Sequence, residues 1–348
     1  MRRSVFLPLL VLTLFGGAAE CQEWKILKSF PLPAELRWAQ DARWASETSA
    51  FVSSGRSGVY EVPLAAAVKP RRIIEGAGPQ GFWFSARLAT SARHVLTAAP
   101  INGFAWWDRS TGQKVDENAF AVVMDVDLHD DRVAILGADR DAEGRFAPEG
   151  AIVWWGPLNG SKKLDLQPLF FSTAGSGVKP MAQCHYLETG AVRFTPSGEL
   201  VVLPGVEPGV FLFDKKGKLL RTWATERLGV VDRCALSEQQ FLSMSSQPGP
   251  RWEWLQRRKV VDDVVVLRSG PALIIRTVSG SATHWDLVEL QSDSGTKRVT
   301  LPIVSVSPLA HLRADVDSKG RLMVLRLEYG ELATAPAEPP MLYIMERR

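Results

Sequence analysis

One phrase recurs four times along this chain: an apolar strand carrying aromatic residues, a short polar turn that closes on glycine, a basic residue, and a new strand. The copies begin at Phe104-Ala105-Trp106-Trp107 (to Gly112 and Lys114), Ile152-Val153-Trp154-Trp155 (to Gly160 and Lys162), Phe211-Leu212-Phe213 (to Gly217 and Lys218) and Trp285-Asp286-Leu287 (to Gly295 and Lys297). A hairpin repeated at intervals of roughly forty to sixty residues is how a β-propeller is written in sequence, because each blade is one small sheet that needs its neighbours to bury its faces. The chain therefore reads as all-β, a single propeller.

A second hairpin precedes each of these phrases. Val192 to Val202 and Ala314 to Val324 each run from a half-buried strand through a Ser/Gly turn into an apolar strand, and weaker copies lie at 45–52, 89–96, 127–135, 235–242 and 264–275. Third strands then fall near Tyr60, Trp106, Trp154, Phe211, Trp252, Trp285 and Tyr343, which predicts seven blades, with six as the alternative. The chain finishes on a third-strand phrase, Met341 to Met345. The alternating segment Trp24 to Phe30 precedes the first inner strand. The N-terminal strand is thus expected to complete the last blade and close the ring, leaving no long edge unpaired.

Met1-Arg2-Arg3, the apolar run Val5 to Phe15 and the small residues Gly16 to Ala19 have the layout of a secretory leader, with cleavage expected after Ala19. The run is shorter than the ~20 residues a spanning helix needs. The expected organisation is a leader over 1–19 and one propeller domain over 20–348, exported to a periplasmic or extracellular compartment, with no stable membrane span and a monomeric state. The net charge of +3, reduced to +1 without Arg2 and Arg3, gives no basis for nucleic-acid binding. Of three cysteines, Cys184 stands just before the inner strand of the fourth blade and Cys234 on that of the fifth. In an oxidising compartment this placement predicts a Cys184–Cys234 disulfide, with two inert thiols the alternative.

The phrases Val192 to Val202, Val210 to Leu220 and Ala314 to Val324 resemble repeats of the NHL, six-bladed and YVTN-type propellers, many of them exported bacterial proteins. The resemblance covers most of the chain as architecture. It implies a range of roles, from binding platforms to lyases and metal-dependent lactonases, and selects none of them.

Most of the twelve tryptophans sit in third strands, where wide rings fill the wedge between blades. Enzymes of such a fold hold a Ca²⁺-like ion with carboxylates and Asn at the inner-strand mouth. The carboxylates available are Asp125, Asp127, Asp232, Asp315 and Asp317, but Asn102, Asn118 and Asn159 all fall off the inner strands, and Asp317 fits a role inside its own Ser318-Lys319-Gly320 turn. The histidines show no metal spacing, although His129, His185 and His311 lie close to inner strands. Neither a nucleophile elbow nor a phosphate loop is present.

Arg43, Arg87, Arg193, Arg233 and Arg313 recur at or beside five inner strands. If one strand face points them into the central channel, they attract anions there; structural pairing with Asp41, Asp232 or Asp315 is the alternative. The leading expectation is a non-enzymatic platform without a cofactor, taking a protein partner or a small anionic ligand in the funnel. The alternative is a lactonase-like, metal-dependent hydrolase or a lyase, with a Ca²⁺ ion.

Overall fold

The structure, a computed structural model, describes residues 23–348 except 56, 66–68, 76–85, 101–102, 141–142, 145–149, 159–164, 172–189, 206–208, 225–227, 229, 231–236, 247, 281, 292–294, 308 and 329–337. Its strands form six antiparallel sheets of four strands each. Blade 1 is β2 (Ala39–Ser46), β3 (Ser49–Ser54), β4 (Gly58–Pro63) and β5 (Arg71–Glu75); blade 2 is β6 (Arg87–Thr90), β7 (His94–Ala99), β8 (Gly103–Asp108) and β9 (Lys114–Asn118). Blade 3 holds β10 (Val122–His129), β11 (Arg132–Ala138), β12 (Ala151–Pro157) and β13 (Gln167–Phe171), and blade 4 holds β14 (Ala191–Phe194), β15 (Leu200–Leu203), β16 (Val210–Phe213) and β17 (Leu219–Trp223). Blade 5 is β18 (Val260–Leu267), β19 (Gly270–Ser279), β20 (Ala282–Leu290) and β21 (Thr296–Ser305). Blade 6 is β22 (His311–Val316), β23 (Leu322–Leu327) and β24 (Met341–Arg347), completed by the N-terminal β1 (Trp24–Pro31).

The first strands of the blades, β2, β6, β10, β14, β18 and β22, each contact the first strand of the next blade, and β2 meets both β6 and β22. The ring is closed. Its seam is antiparallel pairing of β1 with β24 from Trp24↔Arg347 to Pro31↔Met341.

Six blades replace the seven that spacing predicts, and one segment accounts for the difference. Residues expected to hold an inner pair (235–242) and a third strand at Trp252 instead contribute α1 (Glu238–Ser246) and α2 (Pro248–Gln256). The physical reason is a capping box. Ser237 Oγ accepts the Gln240 N–H at 3.1 Å and Gln240 Oε1 accepts the Ser237 N–H at 2.9 Å, which satisfies two donors that open a helix. Pro248 then occupies the first turn of α2, where its missing N–H costs nothing. The real fifth blade starts at Val260 and turns at Ser269-Gly270, and its third strand carries Trp285. The other six aromatic markers, Tyr60, Trp106, Trp154, Phe211, Trp285 and Tyr343, all lie on third strands. Trp106 and Trp285 are fully buried, Trp106 in the core between blades 2 and 3 and Trp285 in that between blades 5 and 6.

Because strands alternate in direction, first-to-second and third-to-fourth links gather at one end of the ring, and second-to-third and blade-to-blade links at the other. The first end has tight turns such as 47–48, 91–93, 130–131 and 268–269. The long links 76–86, 139–150, 172–190, 224–259 and 328–340 all belong to the second, crossover end, and α1 and α2 lie within one of them. Loops on a rigid scaffold are where binding residues collect.

Candidate functional site

The inner strands are apolar runs interrupted by charge. Among the described residues they carry Asp41, Asp125, Asp127, Asp262, Asp263 and Asp315, and Arg43, Arg87, Arg193 and Arg313. All are buried except Asp127 and Asp315, which are half-buried as whole residues but have enclosed carboxyl groups.

Their arrangement alternates around the ring. Blades 1, 3 and 5 each have a register shift in the inner hairpin, at Ala39/Asp41, Val123/Asp125 and Val261/Asp263, and in each an aspartate follows the bulge. Blades 2, 4 and 6 have regular inner hairpins and an arginine, Arg87, Arg193 or Arg313. A bulge withdraws one residue from the ladder and so frees a carbonyl that needs a donor. Arg87 Nε donates to Met124 O at 2.8 Å and Arg313 Nη1 to Asp262 O at 3.0 Å, each reaching a bulge carbonyl in an adjacent blade.

The aspartates return the contact. Asp41 Oδ1 accepts its own strand's Ala42 N–H at 2.8 Å while Oδ2 accepts Leu88 N–H in blade 2 at 2.9 Å. Asp263 repeats both steps, with Val264 N–H at 2.8 Å and Ala314 N–H of blade 6 at 2.9 Å. Asp125 Oδ2 takes Val192 N–H of blade 4 at 2.9 Å, and Asp127 Oδ2 takes Phe194 N–H at 2.6 Å. Asp315 closes the seam of blades 6 and 1 by accepting Trp44 N–H at 2.8 Å.

Arg193 of blade 4 grips carboxylates on both sides. Its Nη1 bonds Asp125 Oδ2 in blade 3 and its Nη2 bonds Asp263 Oδ1 in blade 5 at 2.6 Å. Arg43 reaches Leu88 O at 2.8 Å and Ala314 O at 2.9 Å, so it too spans three blades. A second buried group lies one layer out, where Asp262 pairs with Arg276 Nε at 3.0 Å and accepts Trp285 Nε1 at 2.6 Å and Leu312 N–H at 3.0 Å.

The electrostatics follow from this packing. Burial pushes the Asp125 carboxyl up, but the guanidiniums of Arg193, Arg43, Arg87 and Arg313 outweigh it and hold the group below its ordinary value. Burial also lowers Arg193, yet Asp125 and Asp263 more than compensate and keep it well above its usual range. Among the described residues no guanidinium pairs directly with Asp127 or Asp315. Burial raises both, Asp127 to about 6.

Of the five arginines the sequence points to, four therefore lie on the inner strands with protein partners, and Arg233 lies outside the described residues. Asp41 pairs with Arg43 at 3.2 Å, whereas Asp315 takes a backbone N–H, that of Trp44; Asp232 lies outside the described residues, as do Cys184, Cys234 and His185. Sequence reasoning missed Asp262 and Asp263, although two carboxylates inside the run Val260-Val261-Asp262-Asp263-Val264 are themselves a signal of buried partners. Asp317 serves its turn, accepting N–H groups of Lys319 and Arg321 at 3.0 and 2.7 Å. His129 closes β10 while His311 opens β22. Among the described residues no three His, Cys, Asp or Glu side chains converge as a metal site, and no helix is long and apolar enough to cross a membrane.

No family profile and no curated protein matches the chain. Solved structures do. A member of the DUF4221 family from Bacteroides vulgatus superposes with a TM-score of 0.58 at 10% identity, covering 94% of this chain and 98% of that one. Hydrazine synthase of Kuenenia stuttgartiensis superposes with 0.50 at 13% identity over 84% and 78%. The β-propeller domain of Myceliophteria thermophila Cps50 (Swd1) gives 0.46 at 12% over 88% and 87%. At these identities the likeness of the first two is one of fold alone.

Proposed function

We propose that this protein is an exported, non-enzymatic binding platform of the NHL/YVTN-like kind, whose partner docks on the crossover end of the ring. One observation carries the reading. Charged side chains on the inner strands, where a propeller enzyme keeps its reacting groups, are here engaged in contacts from blade to blade: carboxylates with N–H groups, guanidiniums with carbonyls and carboxylates. A group committed to holding the scaffold is poorly placed to move a proton or hold an ion. The helical pair lies within a link at the crossover end.

A test is a hydrolysis and elimination screen with lactones and phosphoesters, with and without added Ca²⁺, alongside metal analysis of the purified protein. Turnover that disappears with Asp125→Asn or Asp127→Asn overturns the platform reading in favour of the funnel-site hydrolase or lyase.

A second reading, an anionic group held in the channel by Arg43, Arg87, Arg193, Arg233 and Arg313, has one observation in its favour. Arg193 Nε is buried and has no acceptor among the described residues. Against that stand six inner-strand aspartates to four arginines among the described residues, a balance that does not make the channel electropositive. Binding of phosphate or of an acidic peptide that survives Arg193→Glu excludes the channel as its site.

A further inference from the structure

The seam where blade 6 meets blade 1 is open at its outer rim. Among the described residues β5 pairs with β4 only from Gly58 to Glu61, so Val62 and Pro63 have β3 on one side and no strand on the other. β1 likewise pairs along one edge, with β24. Between them lies a groove of about 1270 Å³, more than most small-molecule sites offer. Leu27, Phe30 and Leu32 line it from the β1 side, and Val62 and Leu64 from blade 1. A smaller cavity of about 190 Å³ shares Leu27, Lys28 and Leu64 with it.

The walls say what fits between them. The register of β1 on β24 skips Leu27, and this bulge leaves a leucine 41% exposed in the lining of both cavities. Pro31, Pro33, Pro63 and Pro70 line the groove as well. A proline has no N–H to offer a peptide backbone, so these walls are a poor template for an added strand and suit a chain without hydrogen-bonding groups of its own.

Charge gives the groove a direction. Lys28 Nζ bridges the walls by donating to Leu64 O at 3.0 Å, and Lys69, exposed on the same lining, precedes β5 at the tight-turn end. Among the described residues neither ammonium has a carboxylate partner. Glu35 lines the groove beyond the end of β1, at the crossover end.

We infer that the groove between β1 and blade 1 binds an amphiphile, its acyl chain against Leu27, Phe30 and Val62 and its anionic head, a carboxylate or a phosphate, at Lys28 and Lys69, away from Glu35. Affinity comes from methylenes withdrawn from water. The lysines select the sign of the head. The site lies on the rim, outside the channel, and does not rest on the platform reading.

Calorimetric titration below the micelle concentration with octanoate, decanoate and dodecanoate, with dodecyl phosphate and with neutral decyl glucoside tests it. The expected result is one ligand per protein, an affinity that rises about fourfold per added methylene, and weaker binding of decyl glucoside than of decanoate. The tighter of dodecanoate and dodecyl phosphate identifies the head. Leu27→Glu is expected to weaken dodecanoate at least about tenfold by placing a charge on the apolar wall, and Lys69→Glu to weaken dodecanoate while leaving decyl glucoside unchanged. Both side chains are exposed and outside the strand register, so neither substitution removes a core contact or a ladder bond. Absence of binding, an affinity independent of chain length, dodecanoate binding unchanged in Leu27→Glu, or equal affinity for decyl glucoside and decanoate overturns the inference. Binding to phosphatidylglycerol vesicles without binding to any of the single amphiphiles overturns it too, in favour of a membrane-facing surface.

Discussion

The Arg193 guanidinium and the Asp263 carboxylate meet at 2.6 Å with both side chains buried, and they join blade 4 to blade 5 by a direct ion pair. At the neighbouring junctions with bulged blades, backbone amides or carbonyls share the load. Here two side chains join the inner strands, and Trp223 Nε1 donates to Gln291 O farther out at 2.9 Å.

Replacing Arg193 is therefore expected to be costly. Arg193→Met leaves Asp125 and Asp263 buried without their shared cation, and breaking a buried pair in this way costs about 3–5 kcal/mol. The loss is read from the urea midpoint. Adding Asp263→Asn to Arg193→Met is expected to recover part of it, because one stranded charge is gone. A midpoint unmoved by Arg193→Met refutes the bridging role.

Deleting residues 22–31 removes β1, exposes the edge of β24 and uncovers core shared with Trp24. Loss of the cooperative melting transition or of solubility is expected. A truncated protein that melts like the parent shows that this strand does not hold the ring.

Asp127 gives a pH dependence of defined sign. Its carboxyl is raised from 3.8 to about 6 by burial, so between these values the folded state holds more protons than the unfolded chain. Stability from this site is fully present below the lower value and falls as pH rises through the upper one. Asp127→Asn keeps an acceptor for the Phe194 N–H and removes the titration. The parent's melting temperature is expected to drop more between pH 4.5 and 7 than the variant's, and equal drops refute the assignment.

The cysteines are settled by counting thiols. A Cys184–Cys234 bridge leaves one free thiol in the unfolded, unreduced protein, and three free thiols rule the bridge out.

What could be read from the sequence was what repeats. Third-strand aromatics such as Trp106 and Trp285 are legible because a wedge between twisted sheets needs wide side chains, and only six places in the ring have that shape. Trp252 and Trp254 imitate the signal without the flanking turn, and the Ser237–Gln240 capping box is the local feature that tells them apart. The recurrence of Arg43, Arg87, Arg193 and Arg313 was also legible, and so was their place on inner strands. Their partners were not. A bulge of one residue leaves no mark on an apolar run, so the free carbonyls of Met124 and Asp262 could not be located, and with them the purpose of the arginines.

The β1–β24 pairing also sets an order of events. Trp24 and Arg347 stand at opposite ends of the propeller's sequence, yet they are partners. Contacts so distant along a chain form slowly, since a long loop must close before any reward is gained. Until then the first strand has no sheet to join, and blades 1 to 5 can build only an open arc. A ring built in this way stays incompletely folded until β24 has been made, so its cooperativity waits on its most distant contact.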